Sequence, residues 1–185
     1  NNCTFTFNFT ITEPSGITAT ENITNVACFG ENSGSVTINV IGGQSPYIEN
    51  WNGYNPSNLT AGSYIYSVTD NQNCTFTNSV VITEPQVLVV TENITNVLCK
   101  DENTGTATLN ISGGTSPYNE DWGTVNPNAL FNGIYTYNVI DVNGCTFNNQ
   151  ITITEPSSLI STIITTDAIC YGNSDGTAII TTSGG

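Results

Sequence analysis

Histidine and arginine are absent from this chain, and a single lysine, Lys100, stands against fifteen acidic residues. Each shortage removes a class of function. Catalysis needs a positioned base, and without histidine almost the only candidates are carboxylates. Binding to nucleic acid needs Lys and Arg to neutralise phosphates, so a net charge of −14 excludes nucleic acid as a direct partner. Anionic membrane surfaces repel the chain for the same reason. No closely spaced CxxC pair occurs, which leaves zinc-site and thioredoxin-like readings without support. No apolar run is long enough to cross a membrane, so no direct insertion is expected in this segment. A signal peptide is not visible either, and a window cut from the middle of a longer array would lose one.

What the chain has is a period. Cys3, Cys74 and Cys145 stand 71 residues apart (74 − 3 and 145 − 74), and Cys28, Cys99 and Cys170 repeat the interval. Whole motifs follow it. Ile11-Thr12-Glu13-Pro14 recurs as Ile82-Thr83-Glu84-Pro85 and as Ile153-Thr154-Glu155-Pro156. Gly42-Gly43-Gln44-Ser45-Pro46-Tyr47 recurs as Gly113-Gly114-Thr115-Ser116-Pro117-Tyr118, and Trp51 maps onto Trp122. A fixed period of this length is the mark of a tandem array, here about 2.6 copies of one module. The expected divisions are 1–14, the last strand of one repeat; 15–85 and 86–156, two complete repeats; and 157–185, the first strands of another.

Within a copy the chain reads as short alternating apolar runs broken by Gly, Asn and Pro, the signature of strands. Ile17 to Ala27 is expected to form the first strand. Ser35 to Ile41 forms the second, with Val36, Ile38 and Val40 facing the core. Leu59-Thr60-Ala61-Gly62-Ser63-Tyr64 and its counterpart ending in Tyr135 resemble the tyrosine corner of immunoglobulin-like sandwiches, in which the Tyr hydroxyl bonds nearby backbone. Tyr64, Tyr66 and Val68 then alternate inward, and Cys74 to Thr83 forms the last strand. The fold expected is all-β: tandem immunoglobulin-like Greek-key β-sandwich modules of 71 residues, seven or so strands each, forming a rod. Glu84-Pro85-Gln86 is too short to act as a flexible spacer. A last strand of about 12 residues at about 3.3 Å per residue implies an axial repeat of roughly 35 to 45 Å.

Six cysteines in register suit a module near the lower size limit for an independent core, and they point to an oxidising, extracellular setting. If the first and last strands run parallel, Cys28 ends at one pole of a copy and Cys74 starts from the other. A bond inside the copy would then have to span it, whereas bonded Cα atoms lie about 4.4 to 6.8 Å apart. The favoured pairing is Cys28 with Cys145, between repeats, with Cys3, Cys74, Cys99 and Cys170 paired outside the window. Pairing of Cys28 with Cys74 and pairing of Cys3 with Cys28 are the alternatives.

The combination of Cys28-Phe29-Gly30, Gly-Gly-x-x-Pro-Tyr through Pro46 and Pro117, Trp51, Tyr64, Asp70, Cys74-Thr75 and Thr83-Glu84-Pro85 resembles the SprB-type repeat of giant surface adhesins from Bacteroidota. The resemblance covers the whole chain. It implies a secreted cell-surface filament linked to adhesion and gliding motility and exported by type IX secretion. In the second copy Lys100-Asp101 stands where Phe29-Gly30 stands in the first.

Weighed against this, Glu120 and Asp121 beside Trp122 suggest a glycosidase pair, but the sister copy has Glu49 and Asn50 beside Trp51, so no enzyme is expected. Calcium is the one cofactor the acidic turns suggest, with Glu31, Asp101 and Asp175 as weak candidates; none has EF-hand spacing, and the same residues suit turns for conformational reasons. The function expected is a structural stalk or filament segment, its partners being neighbouring repeats of the same chain and other filament copies. The alternative is a multivalent carbohydrate- or protein-binding array, each copy offering the same weak site.

Overall fold

The computed structural model describes residues 3–185, which divide into two compact units, Asn1–Val87 and Leu88–Gly185. Every regular element among the described residues is a strand. The first unit holds β1 (Thr18–Thr24), β2 (Ser35–Ile41), β3 (Ile48–Asn50), β4 (Gly62–Thr69) and β5 (Thr75–Ile82). The second holds β6 (Val89–Thr95), β7 (Thr106–Ser112), β8 (Tyr118–Asp121), β9 (Gly133–Asp141), β10 (Thr146–Ile153), β11 (Ile160–Thr166) and β12 (Thr177–Ser183). β1, β6 and β11 begin 71 residues apart, as do β2, β7 and β12.

In the first unit β1 pairs antiparallel with β2, Thr18 opposite Ile41 and Thr24 opposite Ser35. β4 is the centre of a second antiparallel sheet, flanked by β3 and β5. The second unit repeats this with β6–β7 and with β8–β9–β10, and β11 pairs with β12. The strands alternate as a half-buried sheet requires. On β4, Tyr64, Tyr66 and Val68 are buried, and on β5 so are Val80 and Ile82. They meet Val26, Val36, Trp51 and Leu59 in one core, with Ile38 and Val40 of β2 partly buried against it. The second core is built from the same positions, among them Val97, Ala107, Trp122, Leu130, Tyr137 and Val139.

Five strands form where seven or so were expected. The stretch from Trp51 to Leu59 is occupied by turns: Tyr54 N–H donates to Trp51 O, and Asn58 N–H to Asn55 O. It touches β2 only through the isolated bridge of Gly34 with Leu59 and the bond from Val36 N–H to Pro56 O. Pro56 has no N–H to extend a ladder. The expected first strand is also shorter. Beyond Thr24 the chain leaves β2, and Val26 N–H donates to Thr83 O at the far end of β5. Residues 3–14, read as a last strand, carry no strand; no ladder in the structure pairs with them, and backbone groups left unpaired in a ladder do not hold one.

Gly34 makes the approach of β2 to Leu59 possible. A Cβ there would lie 2.8 Å from Leu59 O and 2.8 Å from Ile82 Cγ2. Gly34→Ala should therefore lower stability by about 1–3 kcal/mol, the usual cost of overpacking. Gly16 has nothing within 4 Å of its Cβ position, and Gly16→Ala should be neutral or slightly stabilising. Urea unfolding of both variants checks this; equal midpoints for the two would contradict it.

Candidate functional site

Two poles of each copy gather the chain's repeated motifs, and a carboxylate organises each. At one pole Asp70, 5% exposed, accepts three backbone N–H groups. Gln72 and Cys74 donate to its Oδ1 at 2.9 and 2.8 Å, and Gln44 donates to Oδ2 at 3.0 Å. One side chain thus ties the Gly-Gly-x-x-Pro-Tyr loop to the hairpin that carries Cys74. Burial works to raise the Asp70 pKa, but the N–H groups of Gln44, Cys74 and Gln72 outweigh it and hold the carboxyl below its usual range. Asp141 repeats the arrangement with Asn143, Cys145 and Thr115 at 2.9, 2.9 and 2.8 Å. Gly43, at a φ of 63°, could carry no side chain, since a Cβ would meet Asp70 Oδ2 at 2.9 Å. Pro46 and Pro117 follow cis peptide bonds in the tied loops, and Tyr47 and Tyr118 donate back to Gly42 O and Gly113 O at 2.7 and 2.6 Å.

At the other pole Glu84, from the Thr83-Glu84-Pro85 motif, accepts the N–H of Gly30 at 2.6 Å. The turn after Cys28 is thereby fastened to the end of β5. In the second copy Glu155 accepts the N–H of Asp101 at 2.9 Å, and Lys100 Nζ lies 3.0 Å from Asp101 and 4.0 Å from Glu155. Asp101 takes a φ of 63° where Gly30 has 77°. The turn thus needs a left-handed residue, which Asp tolerates, and does not need glycine itself. Asn25 Oδ1 accepts Thr83 N–H at 2.9 Å, as Asn96 accepts that of Thr154. With Val26 bonded to Thr83 and Glu21 bonded to Asn78, β1 and β5 advance in the same direction. Cys28 and Cys74 therefore lie at opposite poles of the copy. Cys28 and Cys145 are disulfide-bonded. Cys3, Cys74, Cys99 and Cys170 are free and exposed.

The tyrosine corner is present in both copies: Tyr64 OH donates to Thr60 O and Tyr135 OH to Phe131 O, each at 3.0 Å. Trp51 and Trp122 are core residues, 6% and 8% exposed, packed on Tyr66 and Tyr137 with ring centroids 4.8 and 5.0 Å apart. Neither ring is a platform open to a sugar. The acidic candidates for calcium sit in separate places: Glu31 donates its N–H to Cys28 O, Asp101 is paired with Lys100, and Asp175 Oδ1 accepts Ile169 N–H at 3.2 Å. No group of three or more His, Cys, Asp or Glu that could hold a metal occurs among the described residues.

One cluster was not foreseen from the sequence. Glu21 on β1 accepts from Tyr66 OH at 2.5 Å and from Asn78 Nδ2 at 2.7 Å, joining β1 across to β4 and β5. Glu92, Tyr137 and Asn149 repeat it. The recurrence of Glu, Tyr and Asn at one 71-residue offset was the available signal.

With this geometry in view, the family model of the SprB repeat matches residues 20–53 and again residues 91–127. The chain carries SprB repeats at those two positions. This is a structural repeat family of cell-surface and secreted proteins, not an enzyme family. No curated protein matches the chain, and no solved structure does.

The Tyr–Glu clusters make stability depend on pH at both ends of the scale. Burial, then the bond to Glu21 and its charge, push Tyr66 from an ordinary 10.0 up to about 12; burial and Glu92 push Tyr137 up to about 12 likewise. Between those values the unfolded chain binds fewer protons than the fold, so stability present below pH ~10 is lost as pH rises toward ~12. The Tyr66 hydroxyl, working against burial and joined by Asn78, holds Glu21 below its ordinary 4.5, and Tyr137 and Asn149 do the same for Glu92. Their contribution is present above pH ~4.5 and is lost as pH falls below it. Urea unfolding from about pH 9 to about pH 11.5 should show this alkaline loss, flattened in the Tyr66→Phe/Tyr137→Phe variant; an equal loss in that variant contradicts the assignment.

Proposed function

We propose that this chain is a segment of the stalk or filament of a secreted bacterial surface adhesin, serving adhesion or gliding by holding an adhesive tip away from the cell. The observation that carries the reading is the fixing of one cysteine at each pole of a copy, together with the oxidised state of Cys28 and Cys145. Cys28 pairs with Cys145 in this reading, one repeat bonded to the next. A longer array extends the rule: Cys99 pairs with a later copy, Cys74 and Cys3 with earlier copies, and Cys170 with a later one. The pairing of Cys28 with Cys74 is opposed by their placement at opposite poles and by the free state of Cys74. Copies spanning 15–85 and 86–156 supply the modules. Glu84 is already held by Gly30 within its own unit, which leaves little linker to extend under load.

The rival reading, a multivalent array offering the same weak site in every copy, is opposed by the burial of both tryptophans and by the dissimilar loops around them, 48–58 and 119–129. Calcium has no part in the stalk reading. Lateral contact between filament copies remains part of it, weakened by the net charge of −14.

Single-molecule stretching with handles at both ends tests the role. Under oxidising conditions the segment between Cys28 and Cys145 is withheld from extension. Reduction should release about 120 residues at about 3.5 Å each, a gain on the order of 400 Å. Identical extension with and without reductant would overturn the interlocked stalk.

A further inference from the structure

The two complete copies differ at one place on the three-stranded sheet. In the second unit an open groove of about 720 Å³ is lined by Asp121 and Trp122 at the end of β8, Thr136 and Asn138 of β9, and Asn148 and Gln150 of β10. Register sets Asp121 opposite Asn138 and Asn138 opposite Asn148, a row of three polar side chains across the strands, with Thr136 opposite Gln150 beside it. Two lining residues carry buried polar atoms with no hydrogen-bond partner: Trp122 Nε1 and Asn138 Oδ1. Such atoms are costly unless something satisfies them.

The first copy has resolved the same positions differently. Trp51 Nε1 donates to Glu49 Oε2 at 3.1 Å. Asn52 lays its amide over the sheet and donates to Ile65 O at 3.0 Å. Gly123 occupies the equivalent of Asn52, so the second copy has no side chain to reach across Thr136. Where the second copy has Thr136, Asn138, Asn148 and Gln150, the first has Ile65, Ser67, Thr77 and Ser79. The covered surface is apolar and short-chained; the open one presents a carboxylate, a hydroxyl and three amides.

We infer that this groove is a binding site for a neutral oligosaccharide, present in the second copy and closed in the first. Amides that both donate and accept, set at strand spacing, suit vicinal hydroxyls, which do both as well. An anionic ligand is disfavoured by Asp121 and by the net charge, since the one cation, Lys100, is engaged with Asp101 and Glu155. A metal would find one carboxylate in the lining. An extended peptide would add to a strand edge and not lie on the polar face. Trp122 acts from beneath, through its N–H, and not as a stacking surface. The site makes one repeat of a structural array a receptor for sugar.

The whole chain, titrated with neutral hexasaccharides (laminarihexaose, mannohexaose, galactohexaose) and with hyaluronan hexasaccharide as the acidic comparator, tests this. Calorimetry should show one saturable site per chain for a neutral sugar and none for hyaluronan. The indole N–H resonance of Trp122 should shift while that of Trp51 stays. Gly123→Asn installs the side chain that closes the first copy, and its backbone suits the change: Gly123 has φ 62°, Asn52 has φ 54°, and a Cβ at Gly123 meets nothing within 4 Å. It should weaken binding at least tenfold, as should Gln150→Ala on the exposed strand face. Saturation by none of the neutral sugars, equal binding of hyaluronan, a stoichiometry of two, or full affinity in Gly123→Asn would each overturn the proposal.

Discussion

Everything else in a copy hangs on a carboxylate that is buried and fully occupied by backbone. Asp70 has no counter-ion in its shell; three N–H groups from two loops close around it. Burying a charge is costly unless hydrogen bonds replace water, and here they do so while also setting where Cys74 stands. Remove the acceptor and two loops lose their common anchor at once. The opposite pole uses the same device in exposed form, Glu84 on the turn after Cys28. Between them β1 and β5 run alongside, so the length of the copy separates the two cysteines, and no in-copy bond relieves that separation.

The repeated motifs thereby acquire physical meaning. Asp-x-x-x-Cys is an acceptor and the hairpin it closes. Gly-Gly-x-x-Pro-Tyr is the loop the same acceptor holds, with Gly43 leaving room for the carboxylate. Cys-x-Gly and Thr-Glu-Pro are the two halves of the other pole. A structural repeat keeps these because they fix its ends, which is where one copy is joined to the next. The groove of the second copy lies away from both poles, on a sheet face, where substitution does not disturb the joints.

Much of this was legible before any coordinates. The strand from Ser35 to Ile41 is found with those limits, the inward alternation of Tyr64, Tyr66 and Val68 holds, and the tyrosine corner makes its bond to backbone. Such features are local: period-two patterning and a turn with known chemistry. What the pattern did not reveal was non-local. Leu59 looked like strand because it is apolar and buried, yet it reaches β2 by a single bridge across Gly34. Glu21 read as a solvated polar position on an exposed face, and it is the acceptor for a buried tyrosine 45 residues on. Asn138 and Gln150 differ from Ser67 and Ser79 by length alone, and only the sheet register shows that they share one surface.

The central claim is that oxidation joins copies to one another and does not staple each copy shut. Peptide mapping of the oxidised chain under non-reducing conditions tests it most directly. A crosslinked peptide containing Cys28 and Cys145, with Cys74 and Cys99 recovered as alkylated thiols, is the result the account predicts. Recovery of Cys28 linked to Cys74, or of Cys99 linked to Cys145, would contradict it.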